Sequence, residues 1–286
     1  KLGEGATGIV YLVSLDGSRY AMKISDNVAN VSSEMNVLKS FSKVPGSALG
    51  PSLLHGDDWI SNGATFPFYV MEYVSGKELL TFIKENGESW ANILMLQLLT
   101  SLGKLHEEGW VFGDLKPENL IVTMPSCKIR CVDVGGTTQS GRAIKEFTEF
   151  FDRGYWGLGT RKADPAYDLF AVVMIFINMY HPVRFKKGKD TLVQLTKVIE
   201  NTKQLRPYKT ILLHALKGKF RTAEEMRSQL LAVVQAKGKT VPADAPPITR
   251  SSRKPKKKKG RFLETVFLFL FVCCLYGLYL YMQITG

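Results

Sequence analysis

Near its start the chain carries Gly3-Glu4-Gly5-Ala6-Thr7-Gly8-Ile9-Val10, a G-x-G-x-x-G-x-V spacing that runs straight into the apolar residues 9–15. The element after the glycines decides their meaning. A dinucleotide-binding fold uses the same spacing but leads into a helix. Here the β-branched and apolar run reads as a strand, which argues against that fold. Glycines ahead of a strand suit a flap whose backbone N–H groups approach phosphates with no side chain in the way. Residues 19–24 read as a second strand, reached around the turn Asp16-Gly17.

The order of elements extends this reading. Residues 31–41 have helical spacing, 68–73 form a strand, and Ile93, Leu94, Leu96, Gln97, Leu98, Leu102 and Leu105 mark a long helix ending near Gly109. Residues 120–122 and 128–132 read as a hairpin turning at Met124-Pro125-Ser126, and almost everything from Asp164 to Ala236 is helical. Strands first and helices afterwards predict an α+β chain with a small β-rich lobe, about 1–73, on a larger helical lobe, about 74–236. The cleft between two such lobes is a usual place for a nucleotide. Hydrophobic residues at 45% and charged residues at 22% exclude disorder over most of the chain, and four cysteines exclude a disulfide scaffold.

Beyond 236 the composition shifts twice. Residues 237–261 hold four prolines and a basic run, lack apolar periodicity and read as a linker. Arg250, Arg253, Lys254, Lys256, Lys257, Lys258, Lys259 and Arg261 supply eight of the net +12 charges, so the rest of the chain carries only +4. Residues 265–282 then run for 18 positions without a charge. As a helix at about 1.5 Å per residue they cover roughly 27 Å, near the roughly 30 Å hydrocarbon core. The plain reading is a buried core helix. A run apolar all round, with lysines on one flank only, favours a single membrane span over about 263–284, with the N-terminal part in the cytoplasm. The basic run has three readings: topology alone, anionic lipid headgroups at about 1 kcal/mol per cation, and duplex DNA bound by counterion release. It has no interleaved aromatics for stacking on single strands. Because the sequence begins on the glycine-rich run without a methionine, a preceding segment is expected.

The residues that carry chemistry lie in order along the expected cleft. Lys23 in Ala21-Met22-Lys23 is costly in an apolar strand unless paired, although most strand lysines simply point to solvent. Glu34, on the next helix, is its candidate partner. Val111-Phe112-Gly113-Asp114-Leu115-Lys116-Pro117-Glu118-Asn119-Leu120 is the strongest signal, and Asp133-Val134-Gly135 comes after the hairpin. Singly, each aspartate reads as a turn or cap residue. Together, two carboxylates and an amide suit a divalent cation with a triphosphate and a base for a hydroxyl.

Over residues 1–235 the chain resembles the eukaryotic-type (Hanks-type) Ser/Thr protein kinases of bacteria. The resemblance implies a two-lobed protein-kinase-like fold over 1–236 that uses ATP with Mg2+, or Mn2+ in its place, to phosphorylate protein hydroxyls. It implies that Gly3, Gly5, Gly8 and Val10 cover the nucleotide and that Lys23, held by Glu34, contacts the α- and β-phosphates. In Tyr69-Val70-Met71-Glu72-Tyr73-Val74, which looks like the hinge, Met71 would be the gatekeeper. Glu72 and Val74 would offer backbone to adenine, and Glu78 would reach the ribose. Asp114 would be the catalytic base, Lys116 the γ-phosphate contact, and Asn119 and Asp133 the metal ligands. Asp168 matches a buried helix aspartate that supports the catalytic loop, and Lys116 within Asp-Leu-Lys-Pro-Glu-Asn favours Ser/Thr over Tyr. The order of kinase part, basic linker and terminal span is similar to sporulation-associated membrane kinases of bacilli.

The departures from the family pattern also carry expectations. His-Arg-Asp is here Phe112-Gly113-Asp114, so no arginine stands beside the base to read a phosphorylated activation segment. Activity should therefore not require phosphorylation of Thr137, Thr138, Ser140 or Thr148. Asp-Phe-Gly is Asp133-Val134-Gly135, which keeps the metal ligand. The glutamate of Ala-Pro-Glu, expected near residues 155–159, and its arginine partner, expected where Phe220 stands, are both lost. His106 reads as structural; His55, His181 and His214 have no ligand spacing, and Cys127 with Cys131 lacks a second pair for zinc. A different input is then expected, a polyanion gathering kinases for phosphorylation in trans. The alternative from another class is a pseudokinase scaffold without phosphotransfer.

Overall fold

Two Asx-Gly turns set the register of the N-terminal sheet. The computed structural model describes residues 1–5, 7–42 and 49–239. In it β1 (Gly3–Gly5), β2 (Gly8–Leu15), β3 (Ser18–Ile24), β4 (Leu53–Ser61) and β5 (Ala64–Glu72) form an antiparallel sheet in the order β1-β2-β3-β5-β4. Asp16 and Gly17 have φ of 49° and 74°, and Asn62 and Gly63 have 52° and 77°. Two consecutive positive φ values match the right-handed twist of the joined strands, which is why Asp-Gly and Asn-Gly stand there. The helix α1 (Val28–Ser42) lays Val31, Glu34, Val37, Leu38 and Phe41 against this sheet, a stripe at helical spacing with one carboxylate in it.

The second lobe is built around α4 (Pro165–Tyr180), which is buried from Tyr167 to Asn178. A helix apolar on all sides belongs in a core, and Asp168 is the single charge on that buried stretch. Around it stand α2 (Leu79–Asn86), α3 (Ser89–Glu107), α5 (Thr191–Asn201), α6 (Lys209–Leu216) and α7 (Ala223–Lys239), with α3 packed on α4 and α7. Three short strands, β6 (Gly76–Glu78), β8 (Leu120–Thr123) and β9 (Lys128–Cys131), form a sheet in that order, and β7 (Trp110–Val111) pairs with β10 (Thr138–Gln139). The expected β-rich lobe and helical lobe are both present, and Lys1–Lys239 form one compact unit. The strand β4 and the helix α2 add to the elements that the sequence pattern predicts.

Among the described residues no helix is long and apolar enough to cross a membrane. The apolar run 265–282 and the cations Arg250, Arg253, Lys254, Lys256, Lys257, Lys258, Lys259 and Arg261 lie outside the described residues.

Candidate active site

The alternation of a strand places Ala21 and Lys23 on one face of β3, buried with Tyr69 and Met71 of β5 beneath α1. Lys23 stands opposite Val10 on one side and Tyr69 on the other. Its Nζ donates to Glu34 Oε1 at 2.7 Å and to Thr7 Oγ1 at 2.8 Å, and Tyr69 OH donates to Glu34 Oε2 at 2.7 Å. The expected Lys23–Glu34 pair is therefore formed, with 4% and 3% of each residue exposed. Sequence reasoning missed Tyr69 as the second partner of Glu34. Burial first, then the charge of Glu34, holds the Tyr69 hydroxyl well above its ordinary pKa, so it remains a donor. Gly8 has φ of 138°, and a Cβ there would lie 2.4 Å from Ile24 O, so only glycine lets the loop rest on β3. Gly3 and Gly5 sit in exposed β1 with open space around them, as a flap requires.

Asp114 is 8% exposed. Its Oδ1 accepts from Thr148 Oγ1 at 3.0 Å, its Oδ2 pairs with Lys116 Nζ, and its backbone carbonyl accepts from Asn119 Nδ2 at 3.0 Å. Lys116 Nζ also reaches Thr148 Oγ1 at 3.3 Å. The loop owes its shape to α4: Asp168, fully buried, accepts from Phe112 N at 2.8 Å, Gly113 N at 3.0 Å and His106 Nε2 at 2.9 Å. A carboxylate can only accept, so His106 donates through Nε2. Both expectations, Asp168 beneath the loop and His106 structural, agree with this geometry. Gly113 has φ of 84°, and a Cβ there would meet Gly136 O at 2.5 Å, so the backbone fits closely where the family carries arginine.

Asp133 is exposed and its Oδ1 accepts from Gly135 N at 3.0 Å. A methyl group at Gly135 would lie 3.1 Å from Glu34 Oε1, 3.3 Å from Asp133 Oδ1 and 3.4 Å from Glu146 Oε2, so three carboxylates converge there. The Glu146 carboxyl is pushed up by burial, then by Asp133, with Lys23 opposing and Glu34 and Asp114 adding. That excess negative charge fits a divalent cation arriving with phosphates, and the Asn119 amide oxygen, whose Nδ2 is tied to Asp114 O, would be a further ligand. Among the described residues no three His, Cys, Asp or Glu form a ready cage. Magnesium suits such a place, since it binds through one or two carboxylates and keeps waters and phosphates as its other ligands.

The stretch that looks like the hinge, residues 69–74, begins within β5 and ends just beyond it. Met71 is buried, as a gatekeeper requires, and Val74 is half-buried. Glu72 N donates to Ser52 O at 2.9 Å, and the Glu72 carboxylate grips both ends of the Arg130 guanidinium, with Nη2 at 2.9 Å from Oε2. The hydrogen bond from Arg130 lowers the Glu72 pKa against the opposing effect of burial. Arg130, in β9, thereby ties the hinge to the second lobe. Glu78, half-buried in β6, has its carboxyl raised by burial and by Glu118, with Arg184 opposing.

At the end of the activation segment Phe220 is buried as a plain hydrophobe where the arginine partner is expected to be lost, and a different ion pair stands nearby. Asp152, fully buried, pairs with Arg161 at 2.6 Å and accepts from Tyr167 OH, Gly154 N and Tyr155 N at 2.9 Å each. Arg153 Nε donates to Leu158 O at 3.0 Å. Of the four hydroxyls on which activity is not expected to depend through phosphorylation, Thr137 and Thr138 are buried, Thr148 sits on Asp114, and Ser140 alone is exposed.

A nucleotide flap over a paired lysine, a carboxylate loop held by a buried helix aspartate and a second carboxylate beyond the hairpin define a phosphotransferase of the protein-kinase type. Residues 1–242 match the protein kinase domain family, and the chain belongs to it. The chain is 48% identical over 270 residues to the serine/threonine-protein kinase YabT of Bacillus subtilis, covering 93% of this chain and 80% of that protein. It is 26% identical over 215 residues to the cell division control protein 2 homolog D of Antirrhinum majus, 68% of each. With the mouse calcium/calmodulin-dependent protein kinase type IV it shares 34% over 134 residues, 44% of this chain and 27% of that one.

Proposed function

We propose that this chain is a Ser/Thr protein kinase that uses ATP with Mg2+, or Mn2+ in its place, and works at the cell membrane with its catalytic part in the cytoplasm. Gly3, Gly5, Gly8 and Val10 cover the nucleotide, Glu72 and Val74 offer backbone to its base, and Glu78 meets its ribose. Lys23, oriented by Glu34 and Tyr69, holds the α- and β-phosphates. Asn119 and Asp133 hold the metal, which neutralises phosphate charge when bound. Asp114 accepts the proton of the acceptor hydroxyl, and Lys116 meets the γ-phosphate. The observation that carries this reading is the engaged Lys23–Glu34 pair together with Asp114 fixed between Thr148 and Lys116. The likeness to a protein named a serine/threonine-protein kinase supports the Ser/Thr preference.

Beyond α7, which takes in residues 237–239 of the expected linker, the stretch to 261 acts as a basic linker and about 263–284 as a single membrane span. The cations Arg250, Arg253, Lys254, Lys256, Lys257, Lys258, Lys259 and Arg261 bind duplex DNA, which gathers several kinases and speeds phosphorylation in trans. The test is the full chain with γ-labelled ATP, alone, with duplex DNA and with anionic vesicles. DNA should stimulate with a bell-shaped dose response that falls with salt and disappears in the variant with Lys256, Lys257, Lys258 and Lys259 changed to Ala. Stimulation by vesicles where DNA has no effect would assign the run to lipid, and no response to either would leave it a topology signal.

A further inference from the structure

If Asp114 receives the acceptor hydroxyl, the polypeptide carrying that hydroxyl must cross the surface beside Thr148, whose own hydroxyl touches Asp114. A hollow of about 350 Å³ opens at that point. Its walls are aromatic: Phe150, Tyr155 and Phe185 line it, with Phe150 and Phe185 packed edge to face at 5.4 Å. Its rim is cationic. Arg184 and Lys186 line it, and Lys187 and Lys189 come next on the same exposed loop, with Lys187 Nζ held on Tyr155 O at 2.7 Å. Glu149 is the acidic group at the mouth.

Arg184 has a second effect. Its guanidinium pairs with Glu118 and lies 4.9 Å from the Phe151 ring centroid. Glu118 in turn presses on the carboxyl of Glu78, and Arg184 relieves that pressure. Glu118, a carboxylate that could welcome a cationic residue of a substrate, is thus already paired with a cation of the enzyme. A basic acceptor segment would meet Arg184 and Lys186 as like charges, and an acidic one would meet them as partners.

We infer that this hollow selects the protein substrate: a bulky apolar or aromatic side chain within two residues of the acceptor Ser or Thr fills it, carboxylates flank it, and Arg184 sets the charge preference. This rests on the kinase reading of the same site. Opposite charge at an exposed rim acts mainly through encounter and register, so the effect belongs in the KM for the acceptor.

The test uses the purified full chain with ATP and Mg2+ on three serine peptides. One carries Phe beside the serine with Asp and Glu flanks, one replaces that Phe by Ala, and one replaces the acidic flanks by Lys and Arg. The first should exceed each of the others by about tenfold in kcat/KM, mostly through KM. Arg184→Ala, on an exposed side chain, should narrow the acidic-over-basic ratio severalfold at saturating ATP, and Phe185→Ala should narrow the Phe-over-Ala ratio. A merely structural role for Arg184 would lower turnover on all three peptides alike. Autophosphorylation with equal use, or no use, of the three peptides overturns the inference, as does an unchanged charge ratio in Arg184→Ala. Absence of transfer to any protein or peptide overturns the kinase reading itself, and the inference with it.

Discussion

Replacing Tyr69 by Phe removes one oxygen from the centre of the site and leaves the ring packing in place. In the parent that oxygen donates to Glu34 Oε2 at 2.7 Å, inside a pair whose side chains are about 5% exposed. A hydrogen bond to a charged group contributes about 1.5–3 kcal/mol, and its loss leaves a buried carboxylate oxygen without its donor. At roughly 2–4 °C per kcal/mol for a domain of this size, Tyr69→Phe should melt about 3–12 °C below the parent. Lys23 still reaches Glu34 Oε1, so phosphate transfer should fall less than in Glu34→Gln. The Tyr69 hydroxyl stays protonated, its pKa raised by burial and by Glu34, so the deficit should be the same between about pH 6 and pH 9. Thermal unfolding of purified parent and variant across that range is the assay. A variant that melts with the parent, or a deficit that vanishes as pH rises, would refute the bond as a support of Glu34.

Three further outcomes are expected. Thr148→Ala should lose about 10–100-fold in turnover because a hydroxyl leaves Asp114, whereas Thr148→Ser should retain most of it; equal rates in both variants would mean the hydroxyl is idle. Glu146 binds its proton more tightly folded than unfolded, so its ionisation costs stability above the unfolded pKa and the cost fades as pH falls through the raised one. Glu146→Gln should therefore melt above the parent at neutral pH without magnesium and converge with it in acid, and a gap independent of pH would contradict this. Asp168→Asn can keep its oxygen at the Oδ2 place, serving Phe112 N and His106 Nε2, but loses the acceptor of Gly113 N; that one bond predicts roughly 1.5–3 kcal/mol less stability in urea unfolding, and a change within about 0.5 kcal/mol would contradict it.

The parts legible in the sequence are those in which local pattern and long-range partner coincide. The strands around Asp16-Gly17 and the helix holding Glu34 come from turn chemistry and spacing, and Lys23 needs a carboxylate wherever it is buried. The strand β4 escapes the pattern because Gly56, Asp57 and Asp58 break its alternation, yet Asn62-Gly63 after it is a readable hairpin signal. Tyr69 reads only as hinge sequence; its hydroxyl finds Glu34 through the β3–β5 register, 35 residues away, which spacing does not reveal. Thr148 and Glu146 come to the site by the path of an irregular segment, for which no periodicity exists. Asp152 and Arg161 could have been suspected as a charge pair near the missing glutamate, since opposite charges flank that stretch.

In the proposed reaction the γ-phosphoryl group passes from ATP, held through Lys23 and Asp133, to a hydroxyl at Asp114, leaving ADP. Phosphoamino-acid analysis after incubation of the full chain with γ-labelled ATP and Mg2+ addresses this directly. The parent should label serine and threonine, Lys23→Ala should label them far more weakly, and a folded Asp133→Asn should label neither. Wild-type incorporation by both variants would contradict the assignment.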